Sequence, residues 1–371
     1  MEPYNADWPK QFAQIHADLA AQLRGFKDVK IAHIGSTAVL NLSARPIIDI
    51  LVTAPSLDID DVTTTLAESG VYDHQDDPRH PNCSFLVARS APISHAIYLC
   101  PNNSLLARAH LAIRDTLRSD SELQAYYTDP KNRASEATNG VALQAYRDVK
   151  TSIQQHILIA SQQFSTQELA ALFLSDESSR WAAISTERLV LREYEVDDVK
   201  GMYLLESNPS NARYQSWHPW TYLEARQNVL RGILRGFEKD RAVVELAVVH
   251  EGSFVGRIGA SVQRSVSPCT GDNEEMRRWR PAKHADLWYS FLPSAQGKGL
   301  ATEAMRAFVD ELVKRNKEKG EFLELEIECD PRNVGSWKMA ERLGLEKETL
   351  TEKAWECKGE WVDSLVYRKI V

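Results

Sequence analysis

Cysteine is scarce in this chain: Cys83, Cys100, Cys269, Cys329 and Cys357 are scattered, odd in number and nowhere closely paired. That pattern excludes a disulfide scaffold and a zinc site of ordinary spacing, and it fits reduced thiols in cytosol. Positive charge is also short, with 44 Lys and Arg against 52 Asp and Glu and a net charge of −8. Such a balance disfavours nucleic acid as a partner, while local basic loops remain able to hold small anions. No apolar run reaches the length that crosses a bilayer, and residues 1–7 lack a basic segment leading into one. The expectation is a cytoplasmic protein with no membrane partner. Fixed-period repeats are absent, and the composition, 43% hydrophobic and 26% charged, is globular rather than disordered.

At 371 residues the chain is too long for one ordinary core and comfortable for two. Residues 141–159 read as a helix with Leu143, Tyr146, Val149 and Ile153 on one face, and this helix closes a first domain. A polar stretch follows, containing Ser175-Asp176-Glu177-Ser178-Ser179 and interrupted by a short helical run through Leu169 and Phe173. The division expected is a domain at 1–162, a linker at 163–183 and a second domain at 184–371.

In the second domain, Leu287-Trp288-Tyr289-Ser290-Phe291-Leu292 reads as a strand, ended by Pro293, and it feeds Gln296-Gly297-Lys298-Gly299-Leu300-Ala301. Beyond these glycines Leu300, Ala304, Phe308 and Leu312 keep helical spacing. Lys314, Arg315 and Lys317 crowd the last turns, and Gly320 offers a left-handed stop. A helix that begins at a glycine loop aims unpaired amides and the positive end of its dipole at one point, which suits a pyrophosphate. Taken alone, the same residues also describe a tight strand-to-helix turn.

Context separates the two readings. These residues resemble the GNAT acetyltransferase superfamily, whose acetyl-CoA loop reads Gln or Arg, two residues, Gly, one residue, then Gly or Ala; Gln296, Gly299 and Ala301 fit it. Thr302-Glu303-Ala304, and Thr186-Glu187-Arg188-Leu189 with Leu191-Arg192, look like the branch that acetylates ribosomal-protein N-termini. Asn333 and Ser336, followed by Arg342-Leu343-Gly344-Leu345, stand where that family places a coenzyme-contacting helix. The likeness covers about residues 184–371. It implies acetyl-CoA as co-substrate, held around the diphosphate by Gln296, Gly297, Lys298, Gly299, Leu300, Ala301 and Thr302. It further implies a splay in the sheet where backbone near Phe291 and Leu292 holds the pantetheine arm, with Asn333 at the neighbouring strand end. Asn333 is equally suited to be the N-cap of a helix over 334–343. Ser336, which in this branch can protonate the departing thiolate, is also an ordinary first-turn serine.

Transfer to an amine needs a base for the amine proton and stabilisation of oxyanion and thiolate. Glu324, Glu326 and Glu328 alternate with Leu323, Leu325, Ile327 and Cys329, so three carboxylates share one strand face. That face either lines the acceptor cleft, with Glu326 the base candidate, or is solvated. His284, Asp286 and Tyr289 are further candidates, as is His218 in Trp217-His218-Pro219-Trp220, an aromatic turn that packing alone also explains. No Ser-His-Asp constellation or elbow motif appears, which leaves direct attack of amine on thioester in a ternary complex.

In the first domain His33-Ile34-Gly35-Ser36-Thr37-Ala38 precedes Arg45-Pro46-Ile47-Ile48-Asp49-Ile50-Leu51-Val52, an apolar strand carrying one acid. Aspartate inside such a strand needs a metal, a base or a hydrogen-bond network. This segment, with Tyr4, Trp8, Phe12, Leu111-Ala112-Ile113-Arg114-Asp115 and Tyr146-Arg147-Asp148-Val149-Lys150, resembles the GrpB family, whose fold looks like the polymerase-β nucleotidyltransferases. Two-metal nucleotidyl transfer needs paired acids two residues apart, and position 51 is Leu. Gly35 and Ser36, with Arg45 and Asp49, are therefore a candidate ligand site for a nucleotide rather than a two-metal centre, and no metal is expected. Arg114 and Arg118 either neutralise that ligand or pair with acids such as Asp115.

The expected fold class is α/β (α+β), a nucleotidyltransferase-like domain followed by a GNAT-fold domain with a mixed sheet flanked by helices. The expected activity is acetyl-CoA-dependent N-acetylation of a primary amine, on a small molecule or a protein N-terminus. The alternative is nucleotidyl transfer or nucleotide sensing through the first domain.

Overall fold

Apolar alternation and helical spacing sort the chain into two mixed sheets with their helices. The computed structural model describes residues 1–76, 82–89, 91–135, 140–173, 180–239, 241–264, 283–318 and 322–371, with side chains described except at 129–150. Cys269, Gly320 and the polar run at 175–179 lie outside the described residues, as do the side chains of Leu143, Tyr146 and Val149. Contacts divide the chain between Leu174 and Ser175. Among the described residues no helix is long and apolar enough to cross a membrane.

The first unit contains α1 (Trp8–Gln22), β1 (Lys30–Ile34), β2 (Ile48–Ala54), α2 (Ile59–Glu68), β3 (Tyr72–Asp76), β4 (Ser84–Ala88) and β5 (His95–Pro101). Four helices follow: α3 (Leu105–Ser119), α4 (Ser121–Ser135), α5 (Gly140–Ser161) and α6 (Thr166–Phe173). The sheet order is β1-β2-β5-β4-β3, and β2 and β5 are parallel while the other pairs are antiparallel. Strand β2 is buried on nearly every residue, as a central strand covered on both faces must be. Trp8, Ile15 and Leu19 recur at helical spacing on α1 and pack on one face of that sheet. Helix α6 falls in the stretch read as linker, and its Leu169 and Ala170 are buried within this unit.

The second unit runs β6 (Ile184–Ser185), β7 (Leu189–Arg192), α7 (Asp198–Glu206), α8 (Pro209–Ala212), α9 (Tyr222–Arg235), β8 (Val243–His250), β9 (Ser253–Arg264) and β10 (Lys283–Phe291). It ends with α10 (Leu300–Lys317), β11 (Leu323–Cys329), α11 (Val334–Arg342), β12 (Glu346–Cys357) and β13 (Glu360–Ile370). Its sheet order is β12-β13-β11-β10-β9-β8-β7-β6, with β10 and β11 parallel and joined across α10. Leu300, Ala304, Phe308 and Leu312 are all buried on α10, where they meet Ala285, Leu287 and Phe291 of β10. The α10 dipole is matched at its far end by Lys314, Arg315 and Lys317. Thr221 and Glu224 form a reciprocal capping box that fixes the start of α9.

Candidate functional site

Strands β10 and β11 pair from Lys283 with Leu323 through Asp286 with Glu326, and then part. Beyond that row β10 stays paired with β9 as far as Phe291, and β11 stays paired with β13 as far as Cys329. The two strands therefore open a gap. The Leu292 amide bonds the Val255 carbonyl on the β9 side, so by strand alternation the amides of Tyr289 and Phe291 face the gap. The Phe291 carbonyl is capped there by the Gln296 side chain at 2.9 Å and the Asn211 side chain at 3.2 Å. Of the backbone expected to hold a pantetheine arm, Leu292 is thus already engaged, and the groups left facing the gap are the amides of Phe291 and Tyr289.

The gap opens into a cleft of about 760 Å³. One wall is the loop into α10, where Gly297 (φ 73°) and Gly299 (φ 76°) both take left-handed backbone. A Cβ on Gly297 would meet nothing within 4 Å, so conformation rather than crowding demands glycine. The loop leaves the first-turn amides of α10 without intrahelical partners, on the cleft side. Gln296, Gly297, Gly299, Leu300, Ala301 and Thr302 line the cleft. Lys298 does not; its carbonyl accepts a hydrogen bond from Arg188 at 3.0 Å.

Two sequence motifs far apart in the chain meet at this loop. Arg188 donates from its side chain and its backbone to Glu303 at 2.7 and 2.9 Å, and Thr186 donates to the same carboxylate at 2.6 Å. Burial pushes the Glu303 carboxyl up, but these donors outweigh it and hold the group below its ordinary range. The Thr186-to-Arg188 motif therefore anchors the loop from behind.

On the opposite wall Asn333 caps α11, accepting from the Ser336 amide at 3.4 Å, and Asn333 and Ser336 both line the cleft. Tyr289 donates to the Gly335 carbonyl at 3.1 Å and also hydrogen-bonds the Ser336 side chain. Burial lifts its phenol above the ordinary value, and the Ser336 bond offsets part of that rise. Cys329, at the end of β11, is buried and its thiol is pushed up to about 11, first by burial and then by Asp330 and Glu328.

None of the three carboxylates of the acidic stripe is among the residues that line the cleft; Glu328 is exposed, Glu324 half-buried and Glu326 buried. Glu324 bonds His284 Nδ1 at 2.9 Å, Glu326 is bound by Arg368, and Glu328 accepts from Ser364. Glu326 sits on the last paired row, 7% exposed. Burial raises its carboxyl, opposed by Arg368. Its carboxylate is occupied as an ion-pair partner, away from the walls that carry Ser336. Among the described residues His284, Asp286 and Glu326 bring potential metal-ligand atoms within 4.8 Å of one another. The imidazole is bonded on both nitrogens, to Glu324 and to Asp286 at 2.8 Å. Burial alone would lower its pKa, and these carboxylates raise it instead. His218 is exposed in its aromatic turn.

In the first unit Gly35 (φ 70°) turns the chain after β1 into a short 3-10 turn, Ser36–Ala38. The half-buried Asp49 carboxylate lies against it: a Cβ on Gly35 would stand 2.2 Å from Asp49 Oδ2. Leu51, 1% exposed, packs with Ile34, Cys100 and Ala107, and on the adjacent β5 Ala96 and Tyr98 stand beside Asp49 and Leu51. The row therefore offers one carboxylate. His33 stacks on Phe12 at 4.7 Å and bonds Thr37 at 3.0 Å. Burial, then Arg118 and Arg114, lower its pKa to about 4. Arg114 chelates Asp115 and donates to the His33 carbonyl at 3.1 Å, while Arg118 donates to the Ala38 carbonyl at 2.7 Å. Both arginines brace the turn. Arg45 is exposed nearby in sequence.

Residues 1–159 match the GrpB protein family, and residues 188–346 match the acetyltransferase (GNAT) domain. The chain joins a GrpB domain to a GNAT acetyltransferase domain. A UPF0157 protein of Halalkalibacterium halodurans is 28% identical over 165 residues, which span 42% of this chain and 78% of that protein. The solved structure of the conserved protein GrpB from Enterococcus faecalis is 25% identical, with TM-score 0.38, over 42% of this chain and 96% of that one. An acetyltransferase of Salmonella typhimurium that modifies the N-terminal serine of a 50S ribosomal subunit protein is 18% identical, with TM-score 0.40, over 51% of this chain and 99% of that one.

The GNAT domain makes the protein an acyltransferase with acetyl-CoA as co-substrate. Its glycine loop fits that role, because the space a side chain would fill at Gly297 is open. Sequence reasoning missed Ser210, Asn211, Tyr214 and Gln215, which line the cleft from α8 and the segment after it. A four-residue helix carries no periodic signal that could have shown them.

Proposed function

We propose that the GNAT domain binds acetyl-CoA with its diphosphate against the amides of residues 297–302 and passes the acetyl group directly to a primary amine in a ternary complex. One observation carries the reading: the left-handed glycine loop and Ser336 form opposite walls of the same cleft, across the gap between β10 and β11. The amine nitrogen attacks the thioester carbon, the C–S bond breaks, and the proton the amine gives up balances the one the thiolate takes. In this reading Ser336 hands a proton to sulfur, and the amides of Tyr289 and Phe291 stabilise charge on the carbonyl oxygen. Glu326 is left out of the proton path, since Arg368 holds it. A small-molecule amine and a protein N-terminus both fit this chemistry.

Calorimetric titration with acetyl-CoA tests the reading, followed by thiol release on adding primary amines. Tight binding with amine-dependent release is the expected result. Absence of coenzyme binding overturns it.

For the GrpB domain we propose a binding role at Gly35, Ser36, Arg45 and Asp49, not nucleotidyl transfer, because Leu51 is committed to the core and one carboxylate cannot clamp two cations. A nucleotide is the ligand class proposed. ATP with magnesium should raise the melting temperature without turnover; measured pyrophosphate release would revive nucleotidyl transfer.

A further inference from the structure

Cys83 and Cys100, scattered in the sequence, meet in the first unit. Strands β4 and β5 run antiparallel, with Ser84 opposite Leu99 and Phe85 opposite Tyr98. The next rung outward places Cys83 opposite Cys100. Side chains alternate along a strand, so this rung shares its face with Phe85 and Tyr98, whose rings are 4.8 Å apart. Both cysteines pack there with Ile34, Leu51 and Ala107. Both are thiols, and the two hydrogen-bond each other. Partners on one antiparallel rung hold their Cα atoms about 4.5–5.5 Å apart, a span that a disulfide bridges.

The pair is unequal in access. Cys100 is fully buried and Cys83 half-buried, so a reagent from solvent meets Cys83 first. The Cys100 thiol is pushed up, first by its bond to Cys83 and then by burial, and the Ser104 side chain draws it part of the way back. Ser104 is also the N-cap of α3, where it accepts from the Ala107 amide at 3.4 Å. A thiolate formed at Cys100 therefore meets a hydroxyl donor and the positive end of a helix dipole. The other described cysteines are not matched in this way: Cys329 on β11 and Cys357 on β12 stand on strands that β13 separates.

We propose that Cys83 and Cys100 are a dithiol-disulfide couple, a redox-modification site of the GrpB domain that a small disulfide such as oxidised glutathione closes. The Cys83 sulfur attacks one sulfur of glutathione disulfide, and the first glutathione leaves, taking up the proton that Cys83 gave up. Cys100 then attacks the Cys83 sulfur of the mixed disulfide, and the second glutathione leaves with the proton that Cys100 loses. Two electrons pass from the cysteines to glutathione: two protein S–H bonds and one glutathione S–S bond become one protein S–S bond and two glutathione thiols. Closure locks the end of β5 to the start of β4, beside Leu51. The couple stands independently of the acetyl-transfer reading.

The test incubates the native full chain with excess oxidised glutathione, quenches in acid, unfolds and alkylates the protein, and maps its cysteines by mass spectrometry. Wild type should lose the Cys83 and Cys100 thiols together and yield one peptide pair joined through them. Cys100→Ala should stop at glutathione on Cys83, and Cys83→Ala should slow the loss of the Cys100 thiol by at least about tenfold, since its sulfur is buried. The oxidised wild type should melt above the reduced chain, because the cross-link restricts the unfolded state. A wild type halted at the mixed disulfide, both thiols still open to alkylation, or a bridge that forms in urea but not in the native chain would each overturn the proposal. An unchanged or lower melt would overturn the locking of β4 to β5. Should a variant fail to fold, the wild-type map decides alone.

Discussion

Each half of this protein turns a strand into a helical segment through a glycine at positive φ, yet the two turns have opposite surroundings. At Gly297 a side chain would meet nothing within 4 Å, and the loop looks into a cleft of about 760 Å³. At Gly35 the same addition would strike the Asp49 carboxylate 2.2 Å away. One glycine keeps a conformation and leaves space open; the other keeps a conformation and has its space filled from within the fold. A glycine at positive φ therefore does not by itself say whether open space or a side chain of the fold lies against the turn. That distinction is tertiary.

The comparison breaks most sharply at Gly299. Gly299→Asp sets a carboxylate at the α10 N-terminus, and acetyl-CoA affinity should fall by roughly 100-fold or more, read by calorimetry. If affinity survives, the two glycine turns are alike after all. Ser336→Ala should lower kcat by about 100-fold and leave the KM for acetyl-CoA nearly unchanged, read by steady-state thiol release.

A stability pair sharpens the contrast. Gly35→Ala should cost about 3 kcal/mol, at the upper end for a strained backbone, because the new methyl also meets Asp49. Gly297→Ala should cost only about 1 kcal/mol, the left-handed penalty alone. Urea midpoints decide between them, and similar losses would mean that crowding does not distinguish the turns.

The buried His33 beside the Gly35 turn gives this half its own pH dependence. Its folded pKa of about 4 lies below the ordinary 6.5, so between those values the unfolded chain binds more protons and stability falls as pH drops. The loss should approach about 3 kcal/mol from pH 7 to pH 4. His33→Gln should flatten that dependence in urea titrations. The smallest effect belongs to Asp49→Ala, which should leave acetyl transfer within about twofold of wild type, since Asp49 belongs to the other unit.

Much of the fold was legible in the sequence. The α10 face of Leu300, Ala304, Phe308 and Leu312, the strand before it and the helix capped by Asn333 all follow from local periodicity and capping chemistry. The glycine loop was legible for the same reason, since left-handed backbone is a local demand. The acidic stripe, read as an acceptor wall or a solvated face, divides in the structure, with Glu328 exposed and Glu326 buried. Alternation fixed which side the carboxylates take but said nothing of what β13 and β10 bring against them, and Arg368 and His284 arrived from there.

By itself the sequence determined the two-part plan: a glycine loop that opens a helix in one half, and in the other a strand whose second acid position is leucine. Only the tertiary structure decided that Arg188 braces that loop through Glu303, 115 residues away. It alone brought Arg368 of β13 onto Glu326. Backbone conformation and side-chain facing are written within a few residues, whereas contacts across a sheet depend on strand order and register, which are settled by the chain as a whole.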